Sequence, residues 1–126
     1  MYVTRHMEPV VLEVSSQYPA LLIVGPRQVG KTTMLEHLIE IEGRGRTVVT
    51  LDDLTERELA KTDPKMFFQL HKPPLLIDEV QYAPELFPYI KMMVDQRHQP
   101  GDFWMTGSQL FKMMEGVQES LAGRVA

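Results

Sequence analysis

The sequence predicts an α/β fold with a mostly parallel sheet. Two observations predict it: short apolar runs recur along the chain, and helical patterns lie between them. The runs are Ala20–Val24, Thr47–Leu51, Leu75–Ile77 and Phe103–Thr106. Continuous apolar runs, as opposed to alternating ones, are typical of strands buried on both faces. Strands that alternate with helices favour parallel pairing through crossover connections.

The first half of the chain has helical patterns on both sides of the first run. A helix is predicted around Val10–Ser16, before the first apolar run. A second is predicted over Lys31–Glu42, where apolar residues recur at helical spacing and Gly43 ends the pattern. Asp63 then reads as an N-cap, followed by Pro64 at the first helical position.

Two further helices are predicted in the second half. Pro84 opens a pattern that runs to about His98, and Pro88 either kinks this helix or marks its true start. The last helix is predicted over Ser108–Leu121, although Gly116 weakens that pattern.

Composition narrows the class of protein. The chain has 126 residues, 44% of them hydrophobic and 24% charged, which suits one folded domain over residues 1–126. There is no cysteine, so disulfides, thiolate zinc sites and cysteine nucleophiles are excluded. The four histidines lie far apart and form no ligand-spaced pair. A net charge of −4 gives no support to nucleic-acid binding. With no signal peptide and no apolar run of membrane length, we expect a cytoplasmic location and no membrane partner.

A phosphate-loop pattern follows the first predicted strand. The pattern is Gly25, four further residues and then Gly30-Lys31-Thr32. It follows a predicted strand and leads into the predicted helix that begins at Lys31, as the motif requires. Its backbone N–H groups and the helix N-terminus attract phosphate. We predict that Lys31 reaches the β- and γ-phosphates and that Thr32 coordinates Mg²⁺. The predicted nucleotide-binding residues are Gly25, Pro26, Arg27, Gln28, Val29, Gly30, Lys31, Thr32 and Thr33.

An acidic pair follows the third predicted strand. Asp78 and Glu79 come directly after Leu75–Ile77, and Asp78 lies 47 positions after Lys31. A carboxylate at this place is typical of a Walker B motif, so Asp78 is predicted to hold Mg²⁺, through water. Glu79 is predicted to be a general base or to position the attacking water.

Small polar residues end the fourth predicted strand. Thr106 and Ser108 are both candidates for a side chain that contacts the γ-phosphate or the lytic water. The alternative is a plain strand-to-helix turn in which Ser108 is an N-cap.

Arg124 is a candidate arginine finger, with a solvated side chain as the alternative. Asp52 and the residue after it could contact Mg²⁺ or ribose, but a solvated turn is the favoured interpretation.

Together these residues resemble a family of AAA-type ATPases of bacteria and archaea within the AAA+ superfamily. The stretches that carry the resemblance are Gly25–Thr33, Leu51–Asp53, Ile77–Gln81, Ala83–Leu86, Ile90–Lys91, Val94–Asp95, Thr106–Gln109 and Ser120–Arg124. The resemblance implies ATP as the nucleotide. It also implies that Asp78 binds Mg²⁺, that Glu79 is the base, and that the turn from Thr106 to Ser108 is the sensor.

The resemblance further implies a three-layer P-loop core with strand order 2-3-4-1 and a fifth strand missing. Proteins of this family usually continue past Arg124 into more ATPase core and a C-terminal domain. The chain therefore looks like an N-terminal fragment. Ala20–Val24 would then be an exposed apolar sheet edge, so we expect self-association or low solubility.

Two functions fit these motifs, and two others are disfavoured. The favoured one is an ATPase that couples slow hydrolysis to conformational change, and the alternative is an ATP-binding interaction module with negligible turnover. A GTPase is disfavoured because the chain has no asparagine for a guanine-reading Asn-Lys-x-Asp motif. A small-molecule kinase is disfavoured because the seven arginines are scattered and do not concentrate in a lid.

Overall fold

The computed structural model describes residues 8–24 and 31–107. Helices and strands alternate through most of this part of the chain. In order, they are α1 (Glu8–Ser15), β1 (Ala20–Val24), α2 (Lys31–Glu42), β2 (Thr47–Thr50), α3 (Leu54–Thr62), α4 (Pro64–Leu70), β3 (Leu75–Asp78), a 3₁₀ turn (Val80–Tyr82), α5 (Leu86–Arg97) and β4 (Phe103–Gly107). Within these ranges the longest helices have 12 residues, and none has the length and apolar character to cross a bilayer.

The sheet is parallel throughout the described residues, with strand order β1-β4-β3-β2. This is the predicted order 2-3-4-1 read from the opposite edge, so that prediction is confirmed. Trp104 lies at the centre of the register, paired with Leu21 on β1 and with Leu76 on β3. The four described strands leave β1 and β2 at the two edges.

Successive residues of each strand point to opposite faces of the sheet, and helices cover both faces. Leu76 and Trp104 pack with Met34, Leu35 and Leu38 of α2. Their neighbours along the strands point the other way, into a larger core with α3, α4 and α5. The strand residues in that core are Ala20, Val49, Leu75, Ile77, Phe103 and Met105. The predicted three-layer α/β arrangement is therefore confirmed.

The predicted elements agree closely with the observed ones, with two corrections. The helix predicted from Pro84 begins at Leu86, so Pro88 is its third residue and does not mark its start. Proline is tolerated there because N–H groups in the first turn have no intrahelical partner. The second correction is α3, which has no counterpart among the predicted helices. The last predicted helix, Ser108–Leu121, lies outside the described residues.

A buried arginine, Arg46, lies at the amino ends of the strands, opposite the ends that carry the predicted acids. The side chain of Arg46 is fully buried and forms an ion pair with Glu42. It also donates to the carbonyl oxygen of Leu75 at 3.3 Å, and its guanidinium covers the Trp104 ring. Burial lowers the pKa of Arg46, and the hydrogen bond with Glu42 opposes that shift. These contacts connect α2 to β3 and β4.

Candidate functional site

The candidate site lies at the carboxyl ends of the strands. Because all four strands are parallel, Thr50, Asp78 and Gly107 end β2, β3 and β4 at the same edge of the sheet. The helix that follows the phosphate-loop motif, α2, begins at Lys31 after β1 ends at Val24. In open α/β sheets, ligands bind in the crevice outside these strand ends.

Asp78 is held by two threonine hydroxyls from the neighbouring strands. Thr50 donates to Oδ2 at 2.9 Å, and Thr106 donates to Oδ1 at 2.6 Å. Each carboxylate oxygen thus accepts one hydroxyl hydrogen bond and keeps further acceptor capacity. The half-buried carboxylate is therefore fixed in one orientation at the mouth of the site.

Glu79 has an uncommon backbone conformation. Its φ of 58° and ψ of 48° lie in the left-handed region, which costs a non-glycine residue about 1 kcal/mol. The residue is 4% exposed, and its Oε1 accepts from Gln81 Nε2 at 2.7 Å. Its backbone N–H donates to Thr106 Oγ1 at 3.0 Å. These contacts hold a carboxylate inside the site in a backbone geometry that glutamate rarely adopts.

Thr106 connects the two acids. It is fully buried on β4, donates its hydroxyl proton to Asp78 and accepts the N–H of Glu79. Of the two candidates for the sensor position, Thr106 is therefore in contact with both members of the acidic pair. Ser108, the other candidate, lies outside the described residues.

Asp52 is brought to the same place from the end of β2. One carboxylate oxygen from each of Asp52, Asp78 and Glu79 lies within 4.8 Å of the others. Oxygen donors suit a hard cation such as Mg²⁺, which commonly uses one or two carboxylates and completes its shell with water and phosphate oxygens. The donor set therefore fits Mg²⁺, bound directly or through water.

The favoured interpretation of Asp52 and Asp53 as a solvated turn was incomplete. Asp53 is the N-cap of α3, with its carboxylate accepting from the N–H groups of Thr55 at 2.9 Å and Glu56 at 3.3 Å. An aspartate with a glutamate three residues later is an N-terminal helix signal that could have revealed α3. Asp52, just before the cap, is thereby directed toward Asp78.

A cavity of about 380 Å³ opens beside these acids, between α2 and the β2 edge of the sheet. Apolar side chains form part of its wall, and polar side chains lie toward the strand ends. Its lining residues are Leu35, Glu36, Val48, Thr50, Asp52, Leu76 and Asp78. Asp78 thus borders a cavity as well as the cluster of acids.

Several predicted site residues cannot be placed relative to this geometry. The loop from Gly25 to Gly30 lies outside the described residues, and so does Arg124. Lys31 and Thr32 form the start of α2, but their side chains are also outside the described part of the structure. Thr33 is exposed on the first turn of the helix.

Comparison with known proteins decides the family. The chain matches the AAA domain family over residues 17–126. It belongs to that family. This membership, together with the α/β topology, makes the protein an AAA-type P-loop ATPase in the sense of fold and family.

Two mycobacterial proteins are similar in sequence to this AAA domain. They are the uncharacterized proteins Rv2008c of Mycobacterium tuberculosis and Mb2031c of Mycobacterium bovis, each 34% identical over 108 residues. The alignments cover 85% of the present chain and 24% of each relative. The chain thus spans about a quarter of the length of these relatives.

A solved structure is similar in fold. It is the Walker-type ATPase PABY2304 of Pyrococcus abyssi, with a TM-score of 0.65 and 17% sequence identity. The match covers 100% of this AAA domain and 52% of the archaeal chain. At this identity the similarity supports the P-loop ATPase fold and does not extend to individual residues.

Proposed function

We propose that this AAA domain binds Mg²⁺-ATP at the carboxyl ends of its strands and hydrolyses it to drive a conformational change. The observation that carries the proposal is the contact of one buried threonine, Thr106, with both Asp78 and Glu79. This contact joins the carboxyl ends of β3 and β4. The proposal treats residues 1–126 as one ATPase domain.

The phosphates are assigned to the loop Gly25–Thr33. In a phosphate loop, backbone N–H groups and the helix N-terminus supply positive potential, and the lysine contacts the β- and γ-phosphates. We assign that lysine role to Lys31. The beginning of α2 at Lys31 supports the assignment, because the motif requires a helix at this position.

The metal is assigned to Thr32 and Asp78, and Mg²⁺ would neutralise charge on the transferred phosphoryl group. The fixed orientation of the Asp78 carboxylate supports this role, since a preorganised ligand needs no rearrangement on binding. Asp52 is close enough to hold a water molecule of the metal shell. The three carboxylates would also repel one another less once a cation is present.

Glu79 is assigned as the general base or the residue that orients the attacking water. Its buried carboxylate and strained backbone support a functional role, because such strain persists where surrounding contacts enforce it. Thr106 is assigned as the sensor, with Ser108 kept as the second candidate. Arg124 is proposed as an arginine finger that stabilises transition-state charge.

The cellular setting is also proposed. We expect a cytoplasmic protein in which the ATPase acts on, or is coupled to, a further C-terminal domain, as the family resemblance implies. The alignments cover only 24% of each mycobacterial relative, so those proteins contain further chain. We also expect self-association through β1, which is an edge strand within the described residues. Light scattering at high concentration tests this expectation, and a clean monomer contradicts it.

Binding is tested by titrating the chain with fluorescent ATP and GTP analogues, with and without Mg²⁺, beside Lys31→Ala. We expect Mg²⁺-dependent binding of the ATP analogue and its loss in the variant. Failure of the folded wild type to bind contradicts the proposal for this chain.

Hydrolysis is tested with Glu79→Gln, which should lower turnover by at least about 100-fold. Equal rates in wild type and variant would leave an ATP-binding interaction module with negligible turnover.

A further inference from the structure

We infer that Thr50 is a positioning residue for the metal site, acting through Asp78. The inference rests on the proposed Mg²⁺-ATP function and adds a residue that the motifs do not contain. Thr50 ends β2 and is the register partner of Asp78 on β3. Its hydroxyl oxygen lies 2.9 Å from Asp78 Oδ2.

The hydroxyl of Thr50 both donates and accepts a hydrogen bond. It donates its single proton to Asp78 and accepts the backbone N–H of Asp52 at 3.2 Å. The same atom therefore fixes one carboxylate and anchors the backbone of a second acid. Because threonine is branched at Cβ and has few χ1 states, it holds these two contacts at little further entropic cost.

Thr50 and Thr106 form a matched pair around Asp78. They lie on the two strands that flank β3, and each donates to a different carboxylate oxygen. Two donors from opposite sides define the plane of the carboxylate, whereas one donor would leave it free to rotate. Each Asp78 oxygen keeps further acceptor capacity for a metal ion or its water.

This arrangement predicts a selective defect. Partners that orient a metal ligand typically change metal affinity or activity by about 10-fold to 100-fold when they are removed. Thr50→Val keeps the side-chain shape and removes both hydrogen bonds, so it should weaken Mg²⁺ binding. Nucleotide contacts that do not depend on the metal should be unaffected, because Thr50 is not among the proposed phosphate-binding residues.

The experiment measures the Mg²⁺ concentration that half-saturates binding of a fluorescent ATP analogue to the chain. We expect Thr50→Val to raise this concentration about 10-fold. Binding of the analogue in EDTA and the melting temperature should stay close to wild type. Thr50→Ser, which restores the hydroxyl, should return the value to within about 3-fold. Thr47→Val is the matched control, since it makes the same substitution at the exposed start of β2.

A double variant separates positioning from a general effect on folding. In an Asp78→Asn background, Thr50→Val should weaken Mg²⁺ binding less than it does in the wild-type background, because residues that act through one another are non-additive. The inference is overturned if Thr50→Val binds Mg²⁺ like wild type, if serine fails to rescue, or if the two effects add. Absence of Mg²⁺-dependent binding in wild type would overturn the proposed function and this inference with it.

Discussion

The guanidinium of Arg46 lies over the indole ring of Trp104, with its central carbon 3.9 Å from the ring centroid. Both side chains are buried, and the indole Nε1 donates to Ser15 Oγ at 2.8 Å. This stack joins α1, the start of β2 and the centre of the sheet. It lies at the amino ends of the strands, away from the candidate site, so its effects on stability and on nucleotide binding can be separated.

Arg46→Ala should destabilise the fold strongly. Removing Arg46 leaves Glu42 with only its longer ion pair to the more exposed Arg44, 3.7 Å away, and also removes the stack on Trp104. The two losses together should cost about 3 kcal/mol or more. Urea unfolding followed by tryptophan fluorescence measures the change. Arg44→Ala is the control, because the more exposed Arg44 contributes at most about 1 kcal/mol. Equal losses in the two variants would refute the structural role given to Arg46.

Gly101→Ala should destabilise more than Gly45→Ala. Both glycines have positive φ, 74° and 71°, so both variants carry a backbone cost of about 1 kcal/mol. Only at Gly101 would the new Cβ meet other atoms, with Ser15 Oγ at 2.6 Å and an Arg44 nitrogen at 2.8 Å. We expect a total loss of about 2 kcal/mol or more there. Paired denaturation curves give the difference, and indistinguishable curves would show that the close approach is relieved without cost.

Glu79→Gly should abolish hydrolysis with little net change in stability, because release of backbone strain offsets loss of the hydrogen bond from Gln81. Glycine adopts the observed φ of 58° freely, so the backbone strain of about 1 kcal/mol is released. The proposed base is lost at the same time. Thermal melting and phosphate release are measured on one preparation. His98→Gly is the control, because His98 has φ 52° at the end of α5 and should gain stability while its turnover stays unchanged. A marked loss of stability in Glu79→Gly would contradict the strain argument.

Thr106→Val should damage stability and the site together. The hydroxyl is buried, and its loss leaves the N–H of Glu79 without this acceptor, at about 1–3 kcal/mol. Asp78 also loses the donor to Oδ1, so Mg²⁺-dependent nucleotide binding should weaken. Thr106→Ser retains both hydrogen bonds and should stay close to wild type in unfolding and binding assays. If valine is tolerated in both assays, Thr106 is not the link between the acids.

Much of the candidate site could be predicted because its sequence motifs consist of residues that are adjacent in the chain. The phosphate-loop pattern occupies consecutive residues, and Asp78-Glu79 directly follow an apolar run. The strand order was inferred from a family resemblance, and the sheet confirms it. The observed start of α5 differs from the predicted one. Pro84 and Pro88 are both acceptable near a helix N-terminus, so neither residue alone marks the boundary.

The sequence by itself determined the class of fold, the strands and the identity of the acidic pair, since each depends on short-range patterns of hydrophobicity and motif spacing. Only the tertiary structure decided that Thr50 and Asp52 lie beside Asp78. Thr50 is 28 positions from Asp78, and the two meet because β2 and β3 are neighbours in register. A threonine at a strand end carries no distinctive local signal. Its partner is set by strand pairing, a non-local property that the packing of the whole sheet determines.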